Sequence, residues 1–166
     1  CDVFANVIKR KSYVENIRQN EKSTTLIMDN INDSVVAIDL DKKITRINKA
    51  AITLFGRGDE EIIGKDFEDC FKFIDSNLNH YNVGDYINES LSLKKIINIV
   101  DDITFLNNEG MFVTISVVIS PLIDESQELV GAVVLIRDVS NEVKLEEQLR
   151  HSEKMRAIGQ LSGGIA

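Results

Sequence analysis

Residues 111–120, MFVTISVVIS, alternate bulky apolar side chains with smaller or polar ones at nearly every second position. A period of two belongs to a β-strand, so Met111, Val113, Ile115, Val117 and Ile119 fall on one face, with Thr114, Ser116 and Ser120 on the other. One face is buried and one is wetter. Two further β-rich runs, Ile96 to Leu106 and Leu129 to Arg137, flank this strand across the polar connections NNEG (107–110) and DESQE (124–128). Connections of that length are hairpins, so the three strands pair antiparallel. Such a sheet needs elements to cover its apolar face.

The preceding residues supply them. SVVAIDL from Ser34, the turn residues DKK (41–43) and ITRIN (44–48) predict a hairpin. KAAITLFG predicts a short helix closed by Gly56, and DEEIIGKDF a helical turn closed by Gly64. Residues 72–93 read as a loop followed by a helix over DYINESLSL. Two strands, short helices, then three strands give an α+β class: a five-stranded antiparallel sheet with helices over one face.

Long helices flank that body. From Val3 to about Met28 there is no glycine or proline, and Val7, Val14, Glu21 and Met28 stand seven apart with Val3, Arg10, Ile17 and Thr24 between them. This weak heptad, diluted by Arg10 and Glu21, suits either a parallel dimer helix or a solvated helix resting on its own domain. At the other end the chain turns from strand to helix at Ser140, read as an N-cap hydroxyl, with Glu142 in the first turn. Leu145, Leu149 and Ser152 set an apolar phase that Met155 and Ile158 continue with an early step, a shift that locally unwinds a coiled coil. The organisation expected is an amphipathic helix over 1–25, an α+β domain over 26–139 and a coiled-coil helix over 140–166.

The net charge of -8 is concentrated in residues 26–139, which carry 10 basic against 20 acidic side chains. An acidic domain without a basic stripe repels phosphate backbones, so no nucleic-acid partner is expected. No apolar run reaches the roughly 18 residues of a membrane span, and the N-terminus lacks the order of a signal peptide. Two cysteines, Cys1 and Cys70, are too few for a disulfide framework and form no CxxC pair, so a reducing cytoplasm and no metal site are expected.

At this point the residues resemble a known family. IMDNINDSVVAIDLDKKITRINKAAITLFG resembles the opening of a PAS domain, EEIIGKDF its middle helical turn, and VTISVVISPLIDESQELVGAVVLIRDVS its last two strands. RDVS is similar to the Asp-Ile-Thr type exit motif, with Asp138 as the acid and Ser140 in place of the usual threonine. The last residues, EKMRAIGQLSGGIA, resemble the first half of the phosphoacceptor helix of a two-component sensor histidine kinase, whose histidine would follow Ala166.

The resemblance implies a sensor that passes a signal through Arg137, Asp138 and Ser140 into a dimeric output helix. A kinase core in the same chain and a response regulator beyond it are the implied partners, the parent anchored in the membrane if a segment outside this piece provides an anchor. It also implies a small-molecule pocket between sheet and helices, walled by Val36, Ile38, Leu54, Phe55, Phe67, Ile115, Val117 and Val134. The same residues equally suit a filled core without a ligand, which would make the module a dimerising spacer.

No catalytic set converges in these 166 residues. LSGGIA lacks the phosphate-loop spacing, and His151 sits among Arg150 and Glu153 as a solvated helix residue. His80, in NLNHYNVGDYIN, is separated from the following helix by Gly84 and has polar neighbours, which argues against haem ligation. Cys70, in FEDCFKF, lacks the neighbours of the flavin-reactive cysteine of light-sensing relatives, and the acids Glu68 and Asp69 disfavour its thiolate. Neither haem nor flavin is expected.

Overall fold

The computed structural model describes residues 2–163. Helix α1 (Asp2–Asn30) precedes β1 (Ser34–Ile38) and β2 (Ile44–Ile47). Three short helices follow, α2 (Lys49–Phe55), α3 (Asp59–Ile62) and α4 (Phe67–Cys70). The two-residue strands β3 (Phe73–Ile74) and β4 (His80–Tyr81) lead into α5 (Val83–Leu93). Strands β5 (Ile97–Leu106), β6 (Phe112–Ile123) and β7 (Leu129–Asp138) then feed α6 (Ser140–Gly163). Every strand pair is antiparallel, and the spatial order is β2-β1-β7-β6-β5-β3-β4.

The five expected strands therefore form one sheet, closed in the middle by pairing of β1 with β7. Beyond β5 the sheet continues into β3 and β4, where sequence alone suggested a loop. Gly84 is no break after His80: it lies in the first turn of α5, where an added Cβ would collide with the Glu68 side chain. Ile165 and the terminal Gly-Ile-Ala run lie outside the described residues, as does Cys1.

One local device builds four hairpins. Asp39, Asp75, Asn107 and Asp124 each accept hydrogen bonds on side-chain Oδ1 from the amides two and four residues ahead, at 2.8–3.0 Å. The residue three ahead is in each case left-handed: Lys42 (φ 62°), Leu78 (φ 64°), Gly110 (φ 76°) and Gln127 (φ 63°). A short side-chain acceptor makes the turn, and the left-handed residue returns the chain with the twist of its strands. These donors, the Asn79 amide foremost, hold the Asp75 carboxyl below its usual range. Its stabilising share is thus present above the ordinary carboxylate range and lost as pH falls through the lowered value.

Glycine occupies the left-handed position in one hairpin only. Because that conformation costs a non-glycine residue about 1 kcal/mol, Gln127→Gly should stabilise the fold by about that much. Gly110→Ala should destabilise it similarly, since an added Cβ there meets open space and only the backbone angle is penalised. Urea unfolding of both variants checks the pair of opposite signs.

The core lies between the sheet and α2–α5. Val113, Ile115, Val117 and Ile119 of β6 are buried as the alternation predicts, whereas Met111 sits exposed in the turn. A run of aromatic rings fills the space beneath the helices: Phe105 packs on Phe55 (centroids 4.9 Å), Phe55 on Phe71 (4.3 Å), Phe71 on Phe67 (5.0 Å) and Phe67 on Phe73 (6.2 Å).

The flanking helices behave differently. Every residue of α1 from Val3 to Ile27 is exposed, including Val7, Val14 and Ile17, so this helix does not rest on its own domain. Leu145, Leu149, Met155 and Ile158 of α6 are exposed as well.

Candidate functional site

Two places follow from the sequence reading: the space between sheet and helices, and the joint where β7 passes into α6. In the first, Val36, Ile38, Phe55, Phe67, Ile115, Val117 and Val134 are all buried in one cluster, with Leu54 half-buried against it. The fold brings the eight residues together, as core. Phe67, Val36, Val117 and Val134 are wholly excluded from solvent. Leu54 also faces an outer groove beside the end of α1, and Phe55 an outer cleft near α4.

At the joint, the ladder between β6 and β7 does not stop with the strand. Thr114 of β6 accepts from the Val139 amide (2.9 Å), and its own amide donates to the Ser140 hydroxyl (3.1 Å). Ser140 is thus spent on the sheet. The capping role expected of it falls to Asp138, whose Oδ1 accepts from the Ser140 amide (2.9 Å). The exit motif therefore divides its labour: the acid starts the helix, and the hydroxyl fixes that start to β6.

Arg137, one residue earlier, directs its hydrogen bonds to the segment before β1, while the charge of Glu142 on α6 also favours its cationic form. Its Nε and Nη2 donate to Oδ1 and Oδ2 of Asp33, at 3.0 and 2.7 Å, in a bidentate pair between the end of β7 and the loop after α1. The hydrogen bonds and charge of Asp33 push the Arg137 pKa up, so it stays cationic throughout the physiological range. With the arginine side chain 55% exposed, the pair holds geometry more than stability. Arg137→Ala should accordingly leave the urea midpoint nearly unmoved, the more so at high salt.

Sequence reasoning missed the residue that ties this pair to α1. Asn48, fully buried, accepts on Oδ1 from the amides of Val35 (2.9 Å) and Ala51 (3.0 Å). Its Nδ2 donates to the carbonyls of Met28 (2.9 Å) and Asp33 (2.9 Å). One amide side chain caps α2, starts β1 and holds the last turn of α1. The Lys49 amide adds a bond to the Asp29 carboxylate (3.1 Å). The signal was present, an Asn directly before the helical run KAAITLF, but an N-cap reading does not disclose its long-range bonds.

The other residues weighed from sequence lie apart. His80 is exposed on β4 and His151 is exposed on α6. Cys70 is half-buried against the core, and its thiol is pushed up chiefly by burial; Arg57 and Lys65 oppose this, while Asp69 and Asp66 add to it. The direction agrees with the sequence argument, but burial leads, and Glu68 is turned to Lys42 at 3.3 Å. Among the described residues no group of three or more His, Cys, Asp or Glu side chains is placed to hold a metal ion, and no helix is long and apolar enough to cross a membrane.

Residues 32–141 match the PAS domain family model. The chain belongs to the PAS domain family. This PAS domain is similar to the signal transduction histidine-protein kinase AtoS of Escherichia coli K12, at 24% identity over 151 residues. That alignment takes in 90% of this chain and 23% of the relative, so the chain spans about a quarter of the relative's length. Among solved structures, the PAS domain of a protein from Colwellia psychrerythraea superposes with a TM-score of 0.56 at 22% identity, over 75% of this chain and 98% of that one. The PAS domain of nitrogen regulation protein NR(II) from Vibrio parahaemolyticus gives 0.52 at 20%, over 69% and 96%. These likenesses are of fold. The α+β architecture of the matched residues is that of the family, with helices α1 and α6 flanking it, and the sequence kinship is to a histidine kinase.

Proposed function

We propose that this PAS domain is the signal-relay module of a dimeric two-component histidine kinase, receiving an upstream conformational change through α1 and passing it into α6. The observation that carries this reading is a pair of polar networks joined by one peptide bond: Met28, Asn48, Asp33 and Arg137 are linked by hydrogen bonds, and Asp138, next to Arg137 in the chain, bonds Ser140, which bonds Thr114. Together they join the end of one flanking helix to the start of the other within a single body. The exposed apolar residues on α1 and α6 fit pairing with a second copy, because a long helix with unburied apolar residues gains stability from a partner. Two packings of the α6 pair then form the switch. In this account the kinase core follows α6 in the same chain, a response regulator receives the phosphoryl group, and the domain works in the cytoplasm without nucleic acid, haem or flavin.

Ser140→Ala and Asp138→Ala in the parent kinase test the relay. Both should change how far autophosphorylation responds to stimulus, Ser140→Ala because the Thr114 amide loses its acceptor. An unchanged response in both variants contradicts the route.

A second reading, the dimerising spacer without a ligand, is favoured by the unbroken run of phenylalanine rings where a ligand would sit. Native mass spectra separate it from a ligand sensor: mass beyond the polypeptide that disappears on denaturation belongs to a sensor, and bare mass to a spacer.

A further inference from the structure

The phenylalanine run comes to the surface at one end. There the C-terminus of α2, the end of α4 and the end of β5 enclose a cleft of about 200 Å³. Its floor is apolar, formed by Phe55, Phe71 and Phe105, each under a tenth exposed. Its rim is not: Arg57 and Lys72 line it with Asp69, an excess of one positive charge in a domain that is acidic elsewhere. Neither cation forms an ion pair among the described residues. Arg57 uses one donor on the Cys70 carbonyl (3.3 Å). A guanidinium has five donors in a planar fork matched to a carboxylate, so most of its capacity remains available.

A fixed hairpin bounds the cleft on the remaining side. Asn108, at the tip between β5 and β6, donates Nδ2 to the carbonyl of Gly56 (2.8 Å). Gly56 itself is left-handed at φ 66°, and an added Cβ would strike the Asn108 side chain. The α2 end is therefore tied to the hairpin by the Asn108 bond, and a side chain at position 56 would have to displace Asn108 to fit.

We infer that this cleft is a binding site for a small monoanion with an apolar body, an aromatic monocarboxylate being the class that fits. The ring lies on the phenylalanine floor, and the carboxylate meets Arg57 and Lys72. Desolvated contact with the rings strengthens the charge-assisted bonds at the rim, while Asp69 disfavours a dianion. The volume falls below the roughly 300 Å³ at which drug-sized pockets begin, which limits the occupant to one ring and its carboxylate. The cleft opens at the edge of the buried cluster, whose Phe55, Phe71 and Phe105 form its floor. Regulation through it rests on the relay reading: a ligand gripping Phe55 and Arg57 restrains one end of α2, and Asn48 sits at the other.

Titrating sodium benzoate into the ¹⁵N-labelled protein, with benzyl alcohol as the neutral counterpart, tests the site. Saturable amide shifts at Arg57, Phe71 and Leu106 are expected, with benzyl alcohol several-fold weaker. Arg57→Gln and Lys72→Gln, both exposed and harmless to folding, should each weaken benzoate severalfold, Arg57→Gln by about tenfold. Absent or non-saturating shifts overturn the site, as do equal affinity for benzyl alcohol or unaltered affinity in Arg57→Gln. If benzoate saturates the cleft and the amides of Ser140–Lys144 also shift, the link to α6 holds. If they stay still, the site stands and its regulatory link is overturned.

Discussion

Asn48→Ala should cost about 3–5 kcal/mol, a large part of the 5–15 kcal/mol that holds a typical domain together. The side chain is fully buried, and its loss leaves the amides of Val35 and Ala51 and the carbonyls of Met28 and Asp33 without it. A buried polar group stripped of its partner costs about 1–3 kcal/mol, and the lost helix cap about 1 kcal/mol. These effects are not fully additive, because a shifted α1 lets water reach some of the orphaned groups. Asn48→Ser should recover about 1 kcal/mol, since its hydroxyl still caps α2 but is too short to hold Met28 and Asp33. Urea unfolding at unchanged m measures both. A loss under about 1 kcal/mol in Asn48→Ala would show that the network holds the end of α1 only loosely.

Phe67→Ala should cost a further amount of the same order, about 3–5 kcal/mol, for a different reason. Phe67 is wholly buried between Phe71 and Phe73, and removing its ring leaves a void whose lining is apolar. Such a void stays dry and accepts a small hydrocarbon. Benzene should therefore raise the melting temperature of Phe67→Ala well beyond any effect on the wild-type protein, by selective binding to the folded state. A wild-type response to benzene that saturating benzoate does not suppress would mean that the core already holds usable space, which would favour the ligand-sensing reading over the spacer.

The sheet was largely legible because its signals are local. The alternation at Val113, Ile115, Val117 and Ile119 specifies a buried face whatever lies opposite, and DKK, NNEG and DESQE announce their hairpins. The segment DSNLN at 75–79 carries the same Asp or Asn acceptor and the same spacing as the turns at Asp39, Asn107 and Asp124, yet it joins strands of two residues only. Strands that short have no alternation to detect, so β3 and β4 were invisible although their turn was not.

At the joint the position of the site was legible and its wiring was not. Asp138 and Ser140 were singled out by their resemblance to an exit motif, but which of the two caps the helix depends on Thr114, 26 residues from Ser140. Arg137 was noted without its partner, which lies 104 residues away at Asp33. Asn48 shows the limit most plainly: its local role follows from its place before a helix, while its bonds to Met28 and Asp33 need the β1–β2 hairpin to bring it back against the end of α1. The residues expected to wall a pocket come together as core, but whether packing leaves room is a matter of summed volumes that no pattern of types reveals.

In the proposed relay the end of α1 and the start of α6 are coupled through Asp33 and Arg137. Amide hydrogen exchange in the wild-type protein and in Asp33→Asn tests it most directly, because the substitution keeps the shape of the side chain and removes the charge. The account predicts faster exchange, by about threefold or more, in the first turn of α6 at Val143 and Lys144 as well as around Ile31–Val35. Faster exchange confined to Ile31–Val35, with α6 unchanged, would contradict it.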